Sequence, residues 1–147
     1  MKGFLITLVT FLIMEFVAWA VHKYIMHGFL WSLHKDHHVV DKEKVFQKND
    51  YFFLIFAIPS IILIFLGYDN YSVGFFIGIG IALYGLAYFL IHEIIIHRRL
   101  PPPSKTNSRY IKAIRRAHKI HHKNIGKYGC ENFGMLIVPL KYFKYFK

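Results

Sequence analysis

The residues of this chain best suited to chemistry are its histidines, which number 10 among 147 residues. They fall in two windows, residues 22–38 and 92–122, and nowhere else. Each window contains the same two motifs in the same order, a pair spaced HxxxxH and then a triplet spaced HxxHH. Such a registered repeat argues against isolated surface histidines and against an irregular metal-chelating tract. Its members are His22, His27, His34, His37 and His38 in the first module, and His92, His97, His118, His121 and His122 in the second.

The spacing of the triplets predicts that their imidazoles share one helix face. Residues at i, i+3 and i+4 are neighbours on an α-helix, so the three histidines of a triplet could converge on one metal ion. Residues at i and i+5 lie about 140° apart, so each HxxxxH pair could reach two metals, or one metal where the helix bends. The 10 imidazoles suit two ions of five or six ligands each, and imidazole binds iron, zinc, copper and nickel alike.

Three apolar stretches must position these histidines, and each is long enough to cross a membrane as a helix. Residues 3–21 contain one charged side chain, Glu15, and residues 51–67 and 71–91 contain none. Buried core helices of a soluble protein are the alternative, but so small a chain has no soluble shell to cover them. Residues 18–20 (Ala-Trp-Ala) also fit a signal-peptidase site. The length of the first stretch and its Glu15 favour an uncleaved anchor.

The distribution of lysine and arginine predicts the orientation of these helices. Lys2 alone precedes the first stretch, and the turn at residues 68–70 has no cation, whereas residues 22–50 and the tail carry the rest. Cationic loops stay in the cytoplasm. The N-terminus is therefore expected outside, with the histidines and the C-terminus cytoplasmic, in a bacterial inner membrane. This arrangement explains the net charge of +11 without nucleic acid, for which a mostly lipid-facing surface leaves little room.

The sequence thus predicts an all-α integral membrane protein, a single membrane-embedded domain over residues 1–147. About three transmembrane helices would be joined by cytoplasmic-side helices that carry a histidine-rich di-metal site. A metal transporter would place its ligands near the membrane midplane, yet the second and third stretches contain no ionisable residue. Chemistry on a lipid-dissolved substrate is therefore favoured over transport. A non-enzymatic zinc-binding membrane protein is a further alternative.

The residues around the histidines resemble the integral-membrane fatty acid hydroxylase superfamily, and within it the compact bacterial beta-carotene hydroxylases. The resemblance runs from about Met14 to Leu136. At Glu93 and Ile94 the chain departs from the family, which usually has an Asp-Gly pair there. Glutamate keeps the acid, while isoleucine adds bulk beside the expected substrate channel. The segments that carry the resemblance are residues 22–28 (HKYIMHG), 34–38 (HKDHH), 49–50 (ND), 117–122 (AHKIHH) and 129–134 (GCENFG).

The resemblance implies a di-iron mono-oxygenase that hydroxylates the 3-position of the β-ionone rings of carotenoids, taking beta-carotene through cryptoxanthin to zeaxanthin. It implies two iron ions, with zinc as a substitute, dioxygen, and electrons from an external donor such as a ferredoxin. All the histidines are the expected ligands. A hydroxylase or desaturase of a fatty acid, sterol or other isoprenoid is the alternative within the same enzyme class.

Four polar side chains are candidates for holding the imidazoles in place, because a ligating histidine needs a partner on its second ring nitrogen. Glu93, Asn49 and Asp36 lie next to the histidine motifs, and Glu15 lies two helical turns before His22 on the same face. A buried acid within a membrane span indicates function, and a hydrogen bond from His22 to Glu15 is expected. For the other three, a surface or helix-capping role is the alternative.

Overall fold

The computed structural model describes residues 1–39, 46–99 and 106–145, and within these ranges the regular structure is entirely helical. Two π-helical segments, Val21–Phe29 and Phe89–Ile96, directly follow the first and fourth α-helices, and the first is kinked at Gly28. Short 3₁₀ turns cover Lys48–Tyr51 and Leu140–Tyr145. The α-helices are α1 (Lys2–Ala20), α2 (Trp31–His38), α3 (Phe52–Gly67), α4 (Val73–Tyr88) and α5 (Arg109–His121).

Three helical stretches are long and apolar enough to cross a membrane: Lys2–Phe29, Lys48–Gly67 and Val73–Ile96. They confirm the three predicted spans. The first and third reach further than expected, because the π-helical segments prolong α1 and α4. As a result, His22, His27 and His92 lie on the spanning helices themselves rather than beyond their ends.

Helix α4 packs between α1 and α3, and small residues allow the close approach. A Cβ atom on Gly78 would lie 2.9 Å from the carbonyl oxygen of Ser60 on α3, and one on Gly80 would lie 2.8 Å from that of Thr7 on α1. The Ser60 hydroxyl also donates to the Gly78 carbonyl oxygen (2.8 Å). Either glycine is therefore hard to replace without separating two helices.

The helix directions bring every histidine-bearing element to one end of the bundle. Helices α1 and α4 run in parallel, since Thr7 bonds Phe76 and, further along, Glu15 bonds Tyr84. The short turn between α3 and α4 lies at the opposite end, with Met1. The π-helical ends of α1 and α4 and the start of α3 therefore meet at the same level, where α2 joins them.

Helix α5 is amphipathic and covers this end. It begins at Ser108, whose hydroxyl accepts a hydrogen bond from the Ile111 amide (3.4 Å), a common N-terminal cap. Its fully buried residues, Ala113, Ile114 and Ala117, pack on Val138 and Tyr142 of the C-terminal segment. The buried face also contains His118 and His121, so the packing of α5 orients two histidines inward.

Candidate metal centre

The π-helical segments decide where the HxxxxH pairs point. The Leu30 amide bonds the Ile25 carbonyl (3.0 Å) and the His97 amide bonds the His92 carbonyl (2.9 Å), both five residues back. In such a helix, residues i and i+5 lie nearly above one another, whereas in an α-helix they point to different sides. The first segment is broken at Gly28, which has a non-helical backbone. The two histidines of each pair therefore point to the same centre. π-Helical turns of this kind are frequent at functional sites.

The histidines form two groups, in each of which the ligand nitrogens all lie within 4.8 Å of one another. Together they place nine of the histidines at two adjacent centres, and most of these side chains are buried. Cluster 1 consists of His22, His27, His34, His38 and His121. Cluster 2 consists of His37, His97, His118 and His122.

Each cluster takes one histidine from the opposite sequence module. His37, the middle member of the first triplet, lies in cluster 2, and His121, the middle member of the second, lies in cluster 1. The triplets therefore do not each converge on one centre as the spacing suggested. Positions i+3 and i+4 lie on opposite sides of position i around a helix. A helix that passes between two centres therefore directs its i and i+4 side chains to one centre and its i+3 side chain to the other.

His92 lies beside cluster 2, in the place that His22 holds in cluster 1. Its ring centroid is 4.5 Å from that of His97, 4.7 Å from that of His118 and 4.9 Å from that of His37. Its Nδ1 is turned to Glu93. With His92 included, each centre has one HxxxxH pair, the outer two histidines of one triplet and the middle histidine of the other.

Main-chain carbonyl groups orient most of cluster 1. The segment of residues 124–133 lies across the cluster and accepts hydrogen bonds from Nδ1 of four of its five rings. His34 is the exception, because its Nδ1 donates to the Asn49 side-chain oxygen (2.6 Å). The carbonyl acceptors are Phe133 for His22 (3.0 Å), Lys127 for His27 (3.0 Å), Asn124 for His38 (2.9 Å) and Glu131 for His121 (3.0 Å).

Side chains orient cluster 2. His37 donates from Nδ1 to the Gln47 side-chain oxygen (3.2 Å), and His92 donates to a Glu93 carboxylate oxygen (2.6 Å). Arg99 joins the two acceptors, with Nε 2.8 Å from the other Glu93 oxygen and a hydrogen bond to Gln47. It also pairs with Asp50 (2.9 Å). One cation thus ties together the groups that fix two rings.

These acceptors leave the Nε2 atoms without protons and directed inward. An Nδ1 that donates to oxygen holds the proton of a neutral imidazole, so the lone pair is on Nε2. The Nε2 atoms of His22 and His34 lie 3.1 Å apart, and those of His27 and His121 lie 3.2 Å apart. Two lone pairs facing each other repel unless a cation lies between them. With metal–nitrogen bonds of about 2.1 Å, ligands at right angles would be about 3.0 Å apart, which fits this spacing.

Two further nitrogens support the same conclusion. The Nε2 atoms of His38 in cluster 1 and His122 in cluster 2 are buried and have no hydrogen-bond partner within the described parts of the chain. Buried polar atoms are nearly always satisfied. A bound metal ion at each centre would satisfy both. The donor set therefore fits a metal ion at either cluster.

Burial keeps these imidazoles neutral. In cluster 1 it lowers the pKa of His34 to about 2, of His38 to about 4 and of His121 to about 3, with neighbouring histidines adding to the effect. In cluster 2 it lowers the pKa of His97 to about 3 and of His122 to about 2. Neutral imidazole is the form that binds metals, so no deprotonation is needed near neutral pH.

The other predicted residues divide between direct and indirect contacts with the histidines. Asn49 and Glu93 bond His34 and His92, as described above. In the part of the chain that the structure describes, Asp36 bonds no histidine ring, but accepts hydrogen bonds from the Lys48 amide (2.5 Å) and the Asn49 amide (3.3 Å). Its link to cluster 1 there runs through Asn49.

Glu15 does not bond His22 as expected. One of its oxygens accepts three backbone amides, those of residues 135–137, each at 2.9 Å. The other accepts the Tyr84 hydroxyl (2.7 Å). His22 is already bonded by the Phe133 carbonyl. The buried acid thus fastens the C-terminal segment to α1 and α4, just beyond the residues that orient cluster 1.

Sequence reasoning missed Gln47, Arg99 and the carbonyl groups of residues 124–133. The carbonyls have no side-chain signature, but turns in that segment do. Gly129 and Asn132 both have positive φ angles, 79° and 70°, which glycine and asparagine adopt most readily. Gly129 and Asn132, in the segment that follows the second histidine triplet, were the residues from which these turns could have been predicted.

A family model described as fatty acid hydroxylase matches residues 7–142. The chain belongs to this family. The resemblance seen in the motifs is thereby confirmed over nearly the whole sequence. No solved structure matches the fold.

Beta-carotene hydroxylases are among the similar proteins of known name. That of Pantoea ananas is 41% identical over 135 residues, which cover 92% of this chain and 77% of the relative. That of Paracoccus sp. (strain N81106 / MBIC 01143) is 36% identical over 140 residues, covering 95% and 86%. The chloroplastic beta-carotene 3-hydroxylase 2 of Arabidopsis thaliana is 32% identical over 130 residues, covering 86% of this chain and 42% of the plant protein.

Proposed function

We propose that this protein is a membrane di-iron mono-oxygenase that hydroxylates the β-ionone rings of carotenoids, from beta-carotene through cryptoxanthin to zeaxanthin. The observation that carries the proposal is the pair of histidine clusters with inward Nε2 atoms, in a chain related to bacterial beta-carotene hydroxylases. An apolar substrate fits helices that are long and apolar enough to span a membrane.

The proposed metal ligands are the histidines of the two clusters, with His92 completing cluster 2. Each iron would then have five imidazoles available, one of them supplied by the opposite module. Asn49, Gln47, Glu93 and the carbonyls of residues 124–133 would hold the rings in the tautomer that binds metal. Such partners support metal affinity nearly as much as the ligands do.

The chemistry requires a cofactor, because side chains alone do not break an unactivated C–H bond. Bound iron supplies the activation of dioxygen, and the protein supplies ligation, orientation and exclusion of water. Overall, one C–H bond, one dioxygen, two electrons and two protons give one C–OH bond and one water. The hydrogen bonds to the imidazoles hold the rings in position, and most of these rings are buried away from bulk water.

The substrate would reach the site from the lipid, and the site would face the cytoplasm of the bacterial inner membrane, with the N-terminus outside. The positive charge of the loops on the histidine side supports this orientation. The position of all the histidine-bearing elements at one end of the bundle supports a site at the membrane interface.

The two electrons would come from a separate acidic carrier such as a ferredoxin. A cleft of about 500 Å³ beside cluster 2 supports this part of the proposal. Its walls combine basic side chains of α5 with cluster-2 histidines, so an acidic protein would be attracted to a surface adjacent to that centre. The cleft is lined by Lys112, Arg115, Arg116 and Lys119 together with His97, His118 and His122.

Pigment analysis tests the proposal directly. The chain is expressed in a beta-carotene-producing bacterium beside the double variant His121→Ala, His122→Ala, which removes one ligand from each cluster. Zeaxanthin and cryptoxanthin are expected only with the unaltered chain, together with iron in the purified protein. Untouched beta-carotene in cells that contain the iron-loaded protein and a ferredoxin would redirect the assignment to another lipid substrate.

A further inference from the structure

A groove of about 750 Å³ opens on the lipid-facing side of α1, next to cluster 1 and away from the basic cleft. One wall is the outer face of α1, from Leu12 to Trp19, and the other is the C-terminal segment around Phe133 and Ile137. Leu12 is 61% exposed and Ile137 is 75% exposed. In a membrane both side chains would meet lipid, so the groove is open to molecules dissolved there.

Among the described residues, no histidine lines the groove, but Phe133 at its inner end is in contact with rings of cluster 1. The Phe133 ring lies 5.4 Å from the ring of His22, 5.1 Å from that of His27 and 5.2 Å from that of His121. Its carbonyl oxygen also orients His22. A molecule lying against Phe133 is thus one residue from three rings of cluster 1, whereas cluster 2 faces the basic cleft.

The walls of the groove suit a flat hydrocarbon. Trp19 stacks on Phe16 with centroids 5.5 Å apart and planes 25° from parallel, so the α1 wall of the groove contains two adjoining aromatic rings. The groove follows α1 for about 10 Å between Leu12 and Trp19, at about 1.5 Å per residue. Its volume lies within the range of ordinary small-molecule sites. It is large enough for one end of a long polyene, whose remainder would extend past Leu12 into the bilayer.

We propose that this groove binds the carotenoid, with the end ring against Phe133 and the polyene along α1, so that the ring is presented to cluster 1. The inference rests on the proposed function for the identity of the ligand. It adds a division of labour, in which cluster 1 faces the hydrocarbon and cluster 2 faces the electron carrier.

The test fills the groove and leaves the histidines alone. Leu12→Trp and Ile137→Trp place bulk in the groove from its two walls. Ile61→Trp is the matched control, since Ile61 is on α3, lies outside the groove and is 64% exposed. Purified full-length proteins are incubated with beta-carotene without dioxygen, which prevents turnover, and bound pigment per chain is measured after gel filtration. Conversion in carotene-producing cells is measured separately.

At least a fivefold loss of bound beta-carotene and of conversion is expected for both groove variants, with unchanged metal content and with Ile61→Trp like the unaltered protein. Groove variants that bind and convert like Ile61→Trp would overturn the inference, as would an unaltered protein that binds no beta-carotene. A protein that binds beta-carotene in the groove but yields no hydroxylated product would support the site and refute the proposed activity. The two failures are therefore distinguishable.

Discussion

Cluster 1 and cluster 2 come from a repeated set of histidines, yet the protein supports them by different means. Four rings of cluster 1 donate to main-chain carbonyls of residues 124–133. In cluster 2 the acceptors are the side chains of Gln47 and Glu93, joined by Arg99. A side-chain substitution leaves a main-chain carbonyl acceptor in place, whereas substitution of a glutamate removes its carboxylate acceptor. A repeat of the metal-ligating histidines in the sequence therefore does not imply a repeat of the hydrogen-bond acceptors that orient them.

The two clusters also border different surfaces of the protein. Cluster 1 borders the apolar groove through Phe133, and cluster 2 borders the basic cleft of α5. The centre whose rings bond mainly to main-chain carbonyls is thus the one nearest the lipid. The centre held by an ion-pair network is nearest the surface where we place the electron carrier.

The largest effect is expected from the exchanged histidines, His37 and His121. Removing either with alanine deletes one ligand from the cluster opposite its own sequence module, so hydroxylation should fall at least about 100-fold, beyond the loss typical of an outer partner. Iron should fall from about two atoms per chain to about one. Iron analysis and pigment conversion measure both.

The site of the lost iron distinguishes the crossed arrangement from a simple one. In a His37→Ala protein, adding His122→Ala should leave the remaining metal in place, whereas adding His34→Ala should remove it, because His37 and His122 belong to one cluster and His34 to the other. If instead His37→Ala and His34→Ala affect the same metal, and His122→Ala a different one, each triplet would serve its own centre and the crossed arrangement would be wrong.

A tenfold to hundredfold effect is expected at Glu93, where the supports of the clusters are compared directly. Glu93→Ala removes the acceptor of His92 and the partner of Arg99, so activity should fall about 10- to 100-fold. Glu131→Ala is the matched substitution at cluster 1, because His121 bonds the Glu131 carbonyl rather than its side chain. That variant should keep about half of its activity or more.

Similar losses for both glutamates would contradict the contrast between main-chain and side-chain support. Glu93→Gln adds a finer measure, since an amide oxygen still accepts the His92 hydrogen bond but no longer pairs with Arg99. Its activity should lie between those of the unaltered protein and Glu93→Ala, measured as pigment converted per unit of membrane protein.

The sequence was informative where chemistry is carried by side chains at fixed spacing. Three apolar stretches predicted three spanning helices, because hydropathy over this length has few other solutions. The motif repeat predicted that the histidines gather at two centres. It could not predict the exchange of His37 and His121, which depends on how α2 and α5 cross between the centres. Nor could it predict carbonyl acceptors, which every residue possesses.

The interpretation of Glu15 shows the same limit. Its burial in a span was a sound signal of importance, but helical geometry within α1 pointed to His22. The actual partners, the amides of residues 135–137, are more than 100 residues away in sequence. The π-helical ends could have been predicted from the sequence. An HxxxxH pair that binds one centre needs residues i and i+5 on the same face, which a π-helix provides and an α-helix does not.

A smaller effect, confined to cluster 1, is expected from Glu15→Gln. The substitution removes the charge that three amides share, which should destabilise the attachment of the C-terminal segment by about 2 kcal/mol. Tyr84→Phe removes one neighbouring hydrogen bond and should cost about 1 kcal/mol. In chelator experiments, one of the two irons should leave several times faster in Glu15→Gln. Equal acceleration for both irons would mean that the segment supports the two clusters alike.

The smallest effect is expected at Asp36, which is two steps from a metal. Asp36 is half-buried and accepts hydrogen bonds from the amides of Lys48 and Asn49, and Asn49 in turn accepts the hydrogen bond of His34. Asp36→Ala should therefore cost about 1 kcal/mol and lower pigment conversion a few-fold, less than Asn49→Ala. Asp69→Ala, in the turn at the other end of the bundle, is the matched control and should convert normally. A loss at Asp36 as large as that at Asn49 would mean that the carboxylate does more than position the amide, and that cluster 1, like cluster 2, depends on a charged side chain.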